Sequence, residues 1–157
     1  MALPPFQTAL DEHRDTVARF LVATVGAQEA DDCLQETLIS ALRAYPRLRP
    51  DSNIRAWLLT IARNKALDAH RSRGRRPVPV AEPDPGATGA IATAPGESDA
   101  DLWAAVRALP GKQRAAVVLR FVNDLAHADI ARVLDCSEAA ARRSLHEGLS
   151  KLREEWT

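Results

Sequence analysis

No stretch of the chain approaches the roughly 18 apolar residues that a membrane span requires, and its start lacks the charged, apolar, then small-residue order of a secretory signal. A cytoplasmic protein without membrane insertion is therefore expected. Aromatic side chains number only seven and β-branched runs are few, which argues against a sheet protein. The two cysteines, Cys33 and Cys136, are far apart and without metal-ligand spacing, so buried thiols in a reducing compartment are the plain expectation. There is no Gly-rich phosphate loop, no His-Glu-x-x-His and no Cys-x-x-Cys, and the four histidines (His13, His70, His127, His146) are scattered. We expect no catalytic residue, no metal, no cofactor and no enzyme. Lysine is scarce too: Lys65, Lys112 and Lys151 are the only lysines among 21 basic residues. Arginine suits phosphate recognition, although a GC-rich genome gives the same bias.

What is present is a 46% hydrophobic chain, enough to bury a core, with charges that cancel overall but not locally. Residues 1–76 carry 12 basic and 9 acidic groups, a net +3. Residues 102–157 carry 9 basic and 7 acidic groups, a net +2. Between them, residues 77–101 carry five acids and no base. Two mildly basic halves joined by an acidic tether point, weakly, to a nucleic-acid partner. The tether, PVPVAEPDPGATGAIATAPGESDAD, holds five prolines and three glycines without hydrophobic period, as a flexible linker does.

The expected fold class is all-α, two small helical domains joined by that linker. In the first, apolar residues repeat helically over 6–25 (Val17, Phe20, Leu21, Val25) and stop at Gly26. A second helix over about 28–45 places Leu34, Leu38, Ala41, Leu42 and Tyr45 on its core face. A third, about 54–73, follows the loop RLRPDSN, with Asn53 or a neighbour starting it. In the second domain, Leu109-Pro110-Gly111, Asn123-Asp124 and Asp135-Cys136-Ser137 separate four short helices, about 102–108, 112–122, 126–134 and 138–155. The last two have the spacing of a helix-turn-helix. Domains of this size are marginally stable alone.

Three surfaces can carry chemistry. On the second helix Asp32, Gln35, Glu36, Ile39 and Arg43 lie opposite the core face. A solvated acidic helix start explains the acids; Ile39 fits better with a polar-rimmed apolar spot for a basic protein partner. On the third, Leu58, Ala62, Ala66 and Ala69 suit packing, while Trp57, Ile61, Asn64, Asp68 and Arg71 form a second stripe. Its polar groups can hydrogen-bond unpaired bases, and the arginines that follow, Arg73, Arg75 and Arg76, can hold phosphates. Alternatively Trp57 is core and the arginines are a solvated helix end. On the last helix Ser137 is a good N-cap, Ala139, Ala140 and Ala141 allow close approach to a groove, and Arg142 and Arg143 can meet guanine or phosphate. Leu145, Leu149 and Leu152 form its core stripe, which an ordinary amphipathic helix also explains.

These residues converge on a family. The segments ADDCLQETLISALRAYPRLRPDSNIRAWLLTIARNKALDAHRSRGRR and ALPGKQRAAVVLRFVNDLAHADIARVLDCSEAAARRSLHEGLSKLR resemble regions 2 and 4 of bacterial σ70-type sigma factors of the extracytoplasmic-function (ECF) group. They cover roughly three fifths of the chain, in the family's order, and the paired blocks D-x-x-Q-E and W-L-x-x-I-A-R-N-x-x-x-D are specific. The resemblance implies a region 2 helical bundle over 1–76 and a region 4 helix-turn-helix over 102–157. It also implies an alternative sigma factor that binds core RNA polymerase and directs initiation at −10 and −35 promoter elements. Asp32, Gln35, Glu36 and Ile39 would then face the β′ clamp helices. Asn53, Arg55, Asn64, Lys65, Asp68 and Arg71 would melt and read the −10 element. Ser137, Glu138, Ala140, Arg142, Arg143 and His146 would read the −35 element. The β flap and promoter DNA complete the implied partners; an anti-sigma factor is common in the family and leaves no readable mark here.

The chain departs from the family in its reading helix. Asp135 stands where the turn usually carries glycine; aspartate tolerates the left-handed conformation at some cost. Ala139-Ala140-Ala141-Arg142-Arg143-Ser144 replaces a Gly-Thr-Val-Lys-Ser-Arg pattern, and Glu147 stands where a base is common. Like charge near phosphates predicts modest −35 affinity. The first rival is a helix-turn-helix regulator that does not engage polymerase. It leaves the Asp32–Gln35–Glu36 stripe and the arginine-ended third helix unexplained. The second is a helical adaptor that does not bind DNA, supported by Glu147 and the alanine run.

Overall fold

A computed structural model describes residues 3–75 and 100–156 of the chain; among these there are seven α-helices, one short 3-10 turn and no strand. The all-α expectation holds. Helix α1 (Phe6–Val25) and α2 (Ala27–Ala44) are separated by one residue, Gly26. Gly26 has φ +89° and its N–H donates to Val22 O at 3.0 Å, while its own carbonyl accepts from Ala30 N at 3.1 Å. A Cβ there would meet nothing within 4 Å, so the backbone conformation rather than crowding calls for glycine. After the 3-10 turn Tyr45–Arg47, Asn53 starts α3 (Ile54–Arg75) by accepting the Ala56 N–H at 3.1 Å.

The three helices close on Val17, Phe20, Leu21, Leu34, Leu58, Leu59 and Ala62, all buried. Each large side chain removed from water in this way contributes about 1.5–3 kcal/mol. At one end an aromatic row runs from Phe6 to Tyr45 (5.2 Å between centroids) and on to Trp57 (6.2 Å), and the Tyr45 hydroxyl donates to Pro4 O. Leu42 departs from expectation. It lies four residues after half-buried Leu38, yet it is 57% exposed beside Ile39. The core face of α2 is instead made by Ala30, Cys33, Leu34, Thr37 and Ala41. Ala41 takes the core position, and Leu42, one residue on, stands about 100° further round the helix and outside the packed face. The Thr37 hydroxyl is satisfied by donating to Cys33 O at 2.7 Å.

The second unit contains α4 (Ala100–Ala108), α5 (Gly111–Phe121), α6 (His127–Leu134) and α7 (Glu138–Trp156). Ala100 and Asp101, expected at the end of the linker, begin α4, and the rest of the expected linker, with Arg76, lies outside the described residues. Asp124 (φ +55°) bends the chain between α5 and α6. Asp135 ends α6 at φ +53°, ψ +54°, the left-handed conformation expected where the family carries glycine. Ser137 caps α7 by accepting the Ala140 N–H at 3.1 Å. Helices α5 and α7 cross at Gly148, where a Cβ would stand 2.9 Å from Val117 Cγ2 and 3.3 Å from Gln113 O.

The two units pack together: α3 lies against α6, and α1 against α4 and α5. Polar bonds cross the junction. Arg114 Nη1 donates to Thr24 O at 3.3 Å, Asn123 Nδ2 to Thr16 O at 2.8 Å, and Asn53 Nδ2 to Asp129 Oδ1 at 3.4 Å. Burial lowers the pKa of the Arg114 guanidinium from its ordinary value. Arg63 is shifted the same way by burial, with Cys136 and Asp135 near enough to offset part of the effect. That proximity places the middle of α3 beside the turn of the helix-turn-helix.

Candidate functional site

The described residues present three polar faces. The first is on α2, whose buried side (Cys33, Leu34, Thr37) faces the other helices of the unit and so forces Asp32, Gln35, Glu36, Ile39 and Arg43 outward; all five are exposed. Ile39 is 51% exposed and Leu42 57%, so the apolar spot holds two residues where helical periodicity suggests one. Acids on one edge and apolar carbon on the other make a face for a partner that is basic and partly apolar.

The second face is on α3. Asn64, Asp68 and Arg71 are exposed on consecutive turns of one stripe, with Lys65 half-buried next to it. The Lys65 carbonyl accepts the Cys33 thiol at 3.9 Å. Trp57 and Ile61, at the start of the same stripe, are half-buried, Trp57 against Tyr45. The packing role expected as the alternative for Trp57 thus has its partner. Asn53 is exposed and holds both the helix cap and Asp129, while Arg55 is half-buried. An amide, a carboxylate and a guanidinium in a row can both donate to and accept from unpaired base edges.

The third face is on α7. Ser137, Glu138, Arg142, Arg143 and His146 are exposed and Ala140 is half-buried. Of the three alanines expected at a groove floor, only Ala139 is exposed; Ala141 is core. Leu145 is buried, and Leu149 and Leu152 are half-buried, as the stripe predicted. Glu138 Oε1 accepts from Arg142 Nη2 at 2.8 Å. Glu147 turns toward the unit itself, accepting from Gln113 Nε2 of α5 at 3.2 Å. Sequence periodicity missed Phe121, 63% exposed at the end of α5, because its neighbours Val118 and Leu119 are core and the apolar run masks the one residue that points away.

Residues 9–76 match the family Sigma-70 region 2, and residues 99–152 match Sigma-70, region 4. The chain belongs to the sigma-70 family. Among curated relatives, this sigma factor is 36% identical over 154 residues to the RNA polymerase sigma factor CarQ of Myxococcus xanthus, covering 95% of this chain and 87% of that one. It is 31% identical over 164 residues to the ECF sigma factor SigE of Mycolicibacterium smegmatis, covering 98% of this chain but 62% of that protein's length. Its fold is shared with the sigma factor RpoE of Bartonella quintana, solved in complex with the anti-sigma factor NepR. The two superpose with a TM-score of 0.75 at 23% identity, over 95% and 94% of the two chains. The sigma factor is of the ECF type, an alternative factor for transcription initiation whose partners are core RNA polymerase and promoter DNA. Among the described residues, no helix is long and apolar enough to cross a membrane.

Proposed function

We propose that this sigma factor docks on core polymerase through the α2 face and divides promoter reading between α3 and α7. Asp32, Gln35, Glu36 and Ile39, joined by Leu42, meet the β′ clamp helices. Asn53, Arg55, Asn64, Lys65, Asp68 and Arg71 handle the −10 element; Ser137, Glu138, Ala140, Arg142, Arg143 and His146 handle the −35 element. Residues 1–76 serve as the first of these units and 100–157 as the second, with 77–99 as the tether between them. Phe121 and Leu102, exposed large apolar residues among those described in the second unit, suit the β flap. The chain works in the cytoplasm by binding, without catalysis of its own, and an anti-sigma factor of the kind bound to its structural neighbour regulates it.

The observation that carries the proposal is the exposed acidic and apolar α2 face on a chain that matches both sigma regions in order. Equilibrium binding of the labelled chain to bacterial core polymerase tests it. Tight binding is expected, and Glu36→Arg should weaken it at least about 30-fold by placing like charges together. Unchanged affinity of the variant would remove the α2 face from the interface. No binding of the folded wild-type chain would favour the regulator that does not engage polymerase.

A further inference from the structure

The acid at the start of α7 is out of place on a helix that approaches phosphates. Glu138 is bonded within its own helix, whereas Glu147 is bonded to Gln113 of α5: the Glu138 side chain is 49% exposed, and its bond to Arg142, itself 61% exposed, lies on the outer surface. An ionised carboxylate has about four acceptor positions and a guanidinium five donors. Glu138 Oε2 and most of the Arg142 fork therefore remain for another partner after the 2.8 Å bond is made. That bond also holds Arg142 in one orientation, so less side-chain freedom is given up when a ligand is met. Ala139, exposed between them in sequence, adds no bulk to keep the backbone away from a groove.

The chemistry of a major groove selects what such a pair can take. Cytosine offers the N4 amine as a donor, and guanine offers O6 and N7 as acceptors. Adenine also offers an amine, but its N7 acceptor lies beside it and repels a carboxylate. Residues four apart on a helix are separated by about 6 Å along the axis, within about two base-pair steps. The N-terminal residues of a helix-turn-helix recognition helix are the ones that meet base edges.

We propose that Glu138 and Arg142 act as one reading unit for two nearby G·C pairs of the −35 element, Glu138 accepting from cytosine N4 and Arg142 donating to guanine O6 and N7. This rests on the assignment of α7 to the −35 element. The acid that would weaken phosphate binding is then a source of sequence choice, trading general affinity for discrimination.

The test is a selection by the full-length chain, assembled with bacterial core polymerase, from a pool of random promoter-length duplexes. The wild type should enrich G·C pairs at two nearby −35 positions. Glu138→Ala should lose the preference at one of them by roughly ten-fold, and Arg142→Ala at the other. Glu138→Gln, which keeps an acceptor and gains a donor, should admit adenine at the Glu138 position. Thermal unfolding of each variant at the wild-type temperature would confirm that only the surface has changed. If Glu138→Ala retains every sequence better by one common factor, with the same motif, Glu138 is only an electrostatic brake and the reading unit is overturned. If Arg142→Ala combined with Arg143→Ala also leaves the −35 positions unchanged, the assignment of α7 itself fails. The two failures differ in whether the arginines still shape the motif.

Discussion

Helices α3 and α7 begin alike and are supported differently. Each opens on a polar side chain that accepts the N–H three residues on, Asn53 from Ala56 and Ser137 from Ala140, both at 3.1 Å. Asn53 also reaches across to Asp129 of α6, so the start of α3 is tied to the other unit. The Ser137 cap is a local bond within an exposed turn. Farther along, α3 is packed by α1 and α2 on its own side and by α6 from the other unit, whereas α7 rests on α5 and α6. The proposed −10 surface therefore depends on how the two units sit together, and the proposed −35 surface does not. The α7 face also pairs charge within itself through Glu138 and Arg142.

The sharpest way to break this comparison is to hollow out each helix's support. Leu59, fully buried on α3, should cost about 3–5 kcal/mol when cut to alanine; Leu145 on α7, at the edge of its core, should cost nearer about 2 kcal/mol. Urea unfolding monitored by circular dichroism gives both values, and equal losses would deny α3 its greater enclosure. Next comes Gly148→Ala. The new methyl would press on Val117 and the Gln113 carbonyl and should cost about 1–3 kcal/mol by overpacking α5 against α7. The caps come third. Ser137→Ala should lose about 1 kcal/mol. Asn53→Ala should lose somewhat more than Ser137→Ala, because the Asp129 bond goes with the cap. Identical losses in thermal melts would mean that the bond between the units contributes nothing. Smallest in energy is the removal of charge from α7. Arg142→Ala with Arg143→Ala should reduce the salt slope of promoter binding by about one, for the phosphate that Arg143 no longer holds, because Arg142 is directed at a base. A slope equal to the wild type's would take Arg143 off the backbone.

What the sequence disclosed depended on how local each cause is. Gly26, Asn53, Asp135 and Ser137 were legible because a cap or a left-handed turn is decided within four or five residues. The exposed α2 stripe was legible because its helical period leaves five residues outside one core face. Leu42 was not, since periodicity alone cannot tell whether the next apolar residue lies inside or beyond the edge of a packed face. The bonds from Arg114 to Thr24 and from Asn123 to Thr16 join residues of different units, and nothing in either segment announces the other. Arg63 sits within the W-L-x-x-I-A-R-N block, yet its place beside Asp135 and Cys136 emerges only when the units meet. Gly148 did carry a signal, an isolated glycine inside a helical pattern, which often marks a close approach.

Gly26 has a consequence for how the molecule can change over evolutionary time. A helix turns about 100° with each residue, and a single glycine is all that separates α1 from α2. An insertion or deletion at that joint would swing Asp32, Glu36 and Ile39 through more than a quarter of a circle while carrying Leu34 and Thr37 out of the core. The glycine works as an indexing pin: it sets the compass bearing of the acidic face, and mutation there can change the chain's length only by losing its aim.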